Sequence, residues 1–192
     1  MKRLLLYFAG LVILLSQSSC GYNSMVTKDQ AVKAQWANVQ NSYQRRSDLI
    51  PNLVNTVKGA ANFEKSTLTD VMNARAKATS VQLSADQLTP ENLQKFQEAQ
   101  SQVSAGLGRL LAVSENYPDL KANANFQELQ AQIEGTENRI NVERGKFNEA
   151  TNDYNGYIKS FPNNLFAGMF GFTEKKYFEA DAASQKAPTV QF

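Results

Sequence analysis

Histidine is absent from this 192-residue chain, which removes the usual general base at neutral pH and the commonest transition-metal ligand. Cysteine occurs once, at Cys20, so neither an internal disulfide nor a multi-cysteine zinc site can form. Excess charge is also missing. Of the 20 basic residues two are Lys2 and Arg3, leaving 18 against 18 acidic residues, so the chain beyond them is neutral. Such a body lacks the clustered Lys and Arg that phosphate recognition needs, which excludes nucleic acid as a partner. There is no Walker-type phosphate loop, no Gly-rich dinucleotide fingerprint and no G-x-S-x-G. Without histidine the Glu-x-x-His motif of dimetal bundles cannot exist either. The expectation is a protein with no cofactor, no metal and no catalytic residues. A Ser–Lys hydrolase site, which needs only spatial proximity, is the alternative enzymatic reading.

What is present begins at the N-terminus. Lys2-Arg3 precedes an apolar run from Leu4 to Leu15, broken only by Gly10, and then Ser16, Gln17, Ser18, Ser19 and Cys20. This is the layout of a secretory signal peptide. As a helix the run spans only about 18 Å, against a hydrocarbon core of about 30 Å. Small residues ahead of a cysteine resemble a lipobox, where the thiol is diacylated and the chain cut before it, although Gln17 stands where Leu is usual. Residues 1–19 are therefore expected to be a lipoprotein signal, Cys20 the lipidated residue, and 20–27 a tether. Lys2-Arg3 keeps the N-terminus cytoplasmic and puts the body on the extracytoplasmic side. Gly21, rather than aspartate, after Cys20 favours the outer membrane facing the periplasm. The alternative is an uncleaved single-pass inner-membrane anchor.

The body reads as helix throughout. Val32, Trp36, Val39, Tyr43, Arg46, Ile50, Leu53 and Val57 step by fours and threes, the signature of one helix face. Thr27 with Gln30 resembles a capping box, and Pro51 is expected to kink this helix. A second helix is expected over 63–81 behind Asn62 as N-cap, with Phe63, Leu68, Val71, Arg75 and Ala78 inward. Thr89-Pro90 predicts the start of a third over 91–116, with Leu93, Phe96, Gln100, Val103, Leu107, Leu110 and Ser114 inward. Asn125 is the expected cap of a fourth over 126–159, carrying Phe126, Leu129, Ile133, Thr136, Ile140, Glu143, Phe147, Ala150 and Tyr154. Short connections favour antiparallel neighbours. The expected fold is all-α: an elongated up-down-up-down bundle, of coiled-coil character, occupying 28–160. The second helix is too short to cover its length, so part of the rod is three helices thick and part four.

Arg46 and Glu143 occupy stripe positions where apolar residues are expected. The expectation is that each long side chain snorkels to solvent; because they lie on the first and last helices, the alternative is a buried or half-buried ion pair that fixes register. Residues 161–178 hold Phe161, Leu165, Phe166, Met169, Phe170 and Phe172, too few to span a bilayer. They are expected to fold back and plug the open end of the bundle; the alternative is insertion into the membrane interface or a partner groove. Residues 179–192 read as a polar tail.

Three stretches, GYNSMVTKDQAVKAQWANVQNSYQRRSDLIPNLVNTVKG, SENYPDLKANANFQELQAQIEGTENRINVERGKFNEATNDYN and FPNNLFAGMFGF with KKYFEA, occur in order and together resemble the LemA family of bacterial membrane-associated proteins. The resemblance covers about residues 21–180. It implies an extracytoplasmic antiparallel bundle of long helices behind an N-terminal membrane segment, and supplies no enzyme activity. The motif positions are Tyr43, Arg45, Arg46, Asp48, Leu49, Pro51 and Leu53 in the first helix and Glu134 to Ile140 in the last. Of these, Arg45, Arg46, Asp48, Glu137, Asn138 and Arg139, with Glu143, are the candidates for an inter-helix polar network or a partner-binding face. The functional expectation is a non-catalytic, membrane-tethered scaffold or adaptor of the cell envelope, holding an unidentified envelope protein. The alternative in the same class is a regulatory subunit of a membrane protease or envelope signalling system.

Overall fold

The structure, a computed structural model, describes residues 2–59 and 63–179, with side chains from Gly21 onward. Its helices are α1 (Lys2–Lys58), α2 (Lys65–Ser80), α3 (Pro90–Ser114), α4 (Pro118–Lys121), α5 (Ala124–Lys159) and α6 (Asn163–Phe166), with a 3-10 turn at Ala85–Gln87. No strand occurs among the described residues. The all-α bundle of long helices expected from the stripes is the fold found.

α1 is the spine. Its 57 residues correspond to about 85 Å of helix. It packs most extensively on α5, while α2 packs on α3. α1 and α5 run antiparallel in a register that sets Lys28 beside Asp153, Trp36 beside Phe147 and Arg46 beside Glu137. The apolar stripe of α1 explains the pairing, because Val32, Trp36, Val39, Ile50, Leu53 and Val57 are all essentially fully buried. Each such side chain contributes about 1.5–3 kcal/mol on leaving water.

The buried side chains fall into two clusters. One, toward the α2 end, gathers Leu49 to Val57 of α1, Leu68 and Val71 of α2, Val103 to Leu110 of α3, and Phe126 and Ile133 of α5. The other, toward the N-terminal part of α1, gathers Met25 to Tyr43, Leu93, Phe96, Ile140 to Ile158, and Ala167 and Phe178 from beyond α5. α2 covers only the first. The second is closed by Leu83 from the α2–α3 connection and by the C-terminal segment.

Several boundaries differ from expectation. The 20–27 stretch is helical, part of one uninterrupted α1. Thr27 therefore caps nothing, and its hydroxyl donates back to the carbonyl of Asn23. Asn62 lies outside the described residues, and Glu64 occupies the cap position of α2. Thr89 caps α3 as expected, accepting from the Asn92 amide, with Pro90 at the first helical position. The cap of α5 is Asn123 rather than Asn125, its side chain accepting from the amides of Asn125 and Phe126. α4 occupies part of that connection and buries Leu120. In α3, Ala99 takes the buried place and Gln100 turns half out.

Candidate functional site

The boundary between the two apolar clusters is polar, and Arg46 makes it so. Its side chain is 2% exposed. One terminal nitrogen donates to Ser104 Oγ at 2.7 Å and to Glu137 Oε1 at 2.6 Å. The other donates to Gln100 Oε1 at 2.6 Å and to the Gln100 carbonyl at 3.2 Å. Its guanidinium also stands 5.1 Å from the centre of the Tyr43 ring. Three helices, α1, α3 and α5, thus converge on one planar cation. Its five N–H donors in a fixed fork suit that task better than an ammonium would.

This corrects both readings of Arg46 and Glu143. The two are buried, but Arg46 pairs with Glu137. Glu143 takes its partners from its own helix, Arg139 at 2.8 Å and Lys146 at 3.2 Å, both on Oε1. Glu143 Oε2 is buried and makes no hydrogen bond. From position 137 to 143 the helix advances about 9 Å, so the two carboxylates stand at different levels, and the level of Arg46 is that of Glu137.

A small cleft of about 100 Å³ opens beside the Arg46 layer between α1, α2 and α3, with Ser47, Arg75 and Gln100 among its lining. Arg75 donates its Nε to the Ser47 carbonyl at 2.8 Å. That carbonyl is free because Pro51, four residues on, has no N–H to offer it. α1 runs on through Pro51 as one helix to Lys58.

The remaining motif candidates face outward. Arg45, Asp48, Asn138 and Arg139 are exposed, at the level of the Arg46–Glu137 pair on the adjacent helices α1 and α5. Asp48 accepts from Gln44 Nε2 at 2.7 Å. The seven candidates thus divide into an inner structural set (Arg46 and Glu143 buried, Glu137 half-buried) and an outer set. Nearby on α5, Gly135 and Gly145 face open space, with nothing within 4 Å of where a Cβ would stand.

The C-terminal segment does two things. After α6, Gly171 turns the chain with φ of 78°, a left-handed conformation natural to glycine. The chain then runs back along α5, held by side-chain amides. Asn155 exchanges two hydrogen bonds with the backbone of Lys175, at 2.8 and 2.9 Å. Asn148 does the same with Phe178, at 2.9 and 2.8 Å. Tyr154 donates its hydroxyl to the Thr173 carbonyl at 3.0 Å. The spacing is a geometric match: seven helical residues rise about 10.5 Å, and three extended residues about 10 Å. Phe178 closes the core, its ring stacked 5.9 Å from Trp36 and edge-on to Phe147 at 5.4 Å. Burial, with a smaller effect from nearby Asp29, pushes the Tyr154 phenol up to about 12. Asp29 also joins Lys33 to Lys175, tying α1 to this segment.

The tip before it is different. Phe161, Leu165, Met169 and Phe170 are exposed, at 80, 58, 80 and 49%. Phe166 and Phe172 are half-buried. The expected plug is thus made by Ala167, Phe172 and Phe178, while most of the residues named for it point outward. Pattern reading overlooked Asn148, Asn155 and Ser104, because a polar residue beside a stripe looks like any solvated position; Gln100 lies in the stripe, but spacing alone does not show its role as an acceptor for Arg46.

Among the described residues, no group of three or more Asp, Glu or Cys is placed to hold a metal ion, and no helix is long and apolar enough to cross a membrane. The fold and its polar layer define a class: an all-α bundle whose two longest helices, α1 and α5, are clamped by a buried arginine. The chain belongs to the LemA family, whose signature matches residues 35–192. It is similar to two magnetosome proteins of Paramagnetospirillum magneticum, MamQ 1 and MamQ 2, each 27% identical over 179 residues, covering 84% of this chain and 66% of theirs. It is also similar to protein LemA of Metamycoplasma hominis, 25% identical over 142 residues, 74% of this chain and 61% of that protein. The chain thus spans just under two thirds of the length of these relatives.

Proposed function

We propose that this protein is a non-catalytic, membrane-tethered scaffold of the bacterial cell envelope that presents the middle of its α1–α5 pair to a protein partner. The observation that carries the proposal is the division of the motif residues. Arg46 and Glu137 lock α1 to α5, and Arg45, Asp48, Asn138 and Arg139 project at that level. A rigid platform bearing charges of both signs suits recognition of a polar protein surface by complementarity.

The tether is the N-terminal segment, with Cys20 acylated and the body on the extracytoplasmic side, at the outer membrane facing the periplasm. A diacylglyceryl group with an N-acyl chain satisfies the need for more than one lipid chain in stable anchoring. Cys20→Ala then releases the protein from membranes; a variant still integrated as a single-pass protein rejects acylation in favour of the signal-anchor alternative. Photocrosslinking from position 45 or 138 in native membranes, read by mass spectrometry, tests the partner face. A reproducible envelope-protein adduct from these positions, absent from the α2 surface, supports it. Equal labelling from all surfaces sinks it.

A further inference from the structure

We infer that the exposed apolar end of the bundle is a second membrane contact, in which Phe161, Leu165, Met169 and Phe170, with Tyr22, sit in the interfacial layer of the bilayer and seat the body directly on it. The inference rests on the membrane-tether reading above and adds to it how the body meets the lipid.

Scattered apolar side chains on a protein surface are ordinary. These are not scattered. The exposed large hydrophobic side chains among the described residues are Tyr22, Phe161, Leu165, Met169 and Phe170 at this end, and Val142 on α5. The Tyr22 ring joins α1 to the tip, meeting Phe170 edge-on at 5.2 Å and Phe172 at 5.8 Å. Asn163 of α6 closes on the same turn of α1, its Oδ1 standing 3.0 Å from where a Cβ on Gly21 would be. The patch is therefore fixed to α1 at residues 21 and 22.

That position selects the occupant. α1 is unbroken from Lys2 to Lys58, so no flexible spacer separates the tip from the anchoring segment. Tyr22 is two residues past Cys20 and seven past Leu15, about 3 and 10 Å along the helix. Whether the anchor is acylated Cys20 or the Leu4–Leu15 run, the patch stands where the chain enters the membrane. Phe and Tyr side chains suit that depth, where an apolar face sinks about 5–10 Å below the headgroups. Residues 180–192 offer only Val190 and Phe192 as large apolar residues, too few to cover five. Of the nearby lysines, Lys28 pairs with Asp153, Lys159 with Glu174 and Lys175 with Asp29, while Lys176 stands exposed near Phe170 and Phe172. The contact is thus mainly apolar, and is expected to persist in high salt.

The test uses the full chain in bacterial membranes, with p-benzoylphenylalanine in place of Phe161, Met169 or, as control, Val142. Irradiation is expected to give lipid adducts at 161 and 169, persisting in high salt, and none at 142. Adducts to residues 180–192, to a second copy or to another protein, or no adduct at all, overturn the inference. Carbonate extraction reports separately on the tether. Lipid adducts on a chain that carbonate releases keep the contact and reject the anchor; no lipid adduct on a chain that resists extraction does the reverse. Combining Phe161→Ser and Met169→Ser, both 80% exposed, is expected to leave the melting curve unchanged and to lower lipid labelling from position 165 several-fold. Undiminished labelling counts against the contact.

Discussion

Arg75 donates its Nε to the carbonyl of Ser47, 2.8 Å away across the α1–α2 interface. Pro51 makes this bond necessary. In an uninterrupted helix the Ser47 carbonyl would accept from the residue at 51, and proline has no N–H. The donor is supplied from another helix, so α1 keeps its length through a residue that would otherwise mark its end. Arg75→Met is expected to destabilise by about 1–3 kcal/mol, the cost of a part-buried carbonyl left without a donor. In a Pro51→Ala background the cost should shrink, because the backbone N–H is restored. Denaturant melts of the four proteins measure the coupling; additivity would mean that Arg75 acts through some other contact.

The same logic separates two carboxylates of one helix that look alike in sequence. Glu137→Leu removes the carboxylate from the buried Arg46 guanidinium and is expected to cost about 1–3 kcal/mol, since Glu137 is partly solvated and Gln100 and Ser104 still accept from Arg46. Glu143→Leu leaves only Arg139 and Lys146, which are 65 and 50% exposed and can turn to water. Its effect should be small, or stabilising, since the orphaned Oε2 is removed as well. A double-mutant cycle is expected to find coupling between Arg46 and Glu137 and none between Arg46 and Glu143.

Stability should fall in alkali through one phenol. Tyr154 is raised from about 10 in the unfolded chain to about 12 in the fold, by burial first. A group raised in the fold contributes fully below its unfolded value, and the contribution is lost as pH rises from about 10 to about 12. Tyr154→Phe should lose the hydrogen bond to Thr173 but flatten that alkaline fall, measured by urea melts across the window. The acid limb runs the other way. Hydrogen bonds from Lys33 and Lys159 hold the Asp86 and Glu174 carboxyls below their ordinary range, so their contribution is present above that range and lost as pH falls.

Asn148 and Asn155 each hold both a donor and an acceptor of the returning backbone. Asn155→Ala is expected to cost about 2–4 kcal/mol, two hydrogen bonds with part-buried groups left open. The amides of residues 173–179 should lose hydrogen-exchange protection before α1 and α5 do. Uniform loss across the whole bundle would show that the segment is no separate cooperative unit.

Gly145→Ala should raise stability by about 1 kcal/mol, since an exposed mid-helix glycine gives up that much against alanine and the added methyl meets nothing. Thermal melts check it. If the variant is more stable yet loses a crosslink from position 138, the glycine serves a smooth contact face rather than the helix.

Much of the fold was legible because its signals are local. Val32 to Val57 and Leu93 to Leu110 recur at helical spacing whatever surrounds them, and Thr89-Pro90 announces a helix start with two residues. That Arg46 and Glu143 interrupt an apolar stripe could be read too, though not that both stay buried rather than reaching to solvent. Their partners could not. Gln100, Ser104 and Glu137 come from two other helices, and only the relative heights of α1, α3 and α5 decide which carboxylate meets the guanidinium. The chain alone also shows that Pro51 removes a donor, but not that Arg75 replaces it, for that depends on where α2 lies. The C-terminal aromatics divide for the same reason. Their composition says they are apolar; the Gly171 turn and the amide grip of Asn155 and Asn148 send Phe178 inward and leave Phe161, Met169 and Phe170 facing out. Periodicity determined which faces must be buried, because burial follows from spacing within one element. Register determined which polar groups meet and which apolar ones stay bare, because that is a relation between elements, and only packing sets it.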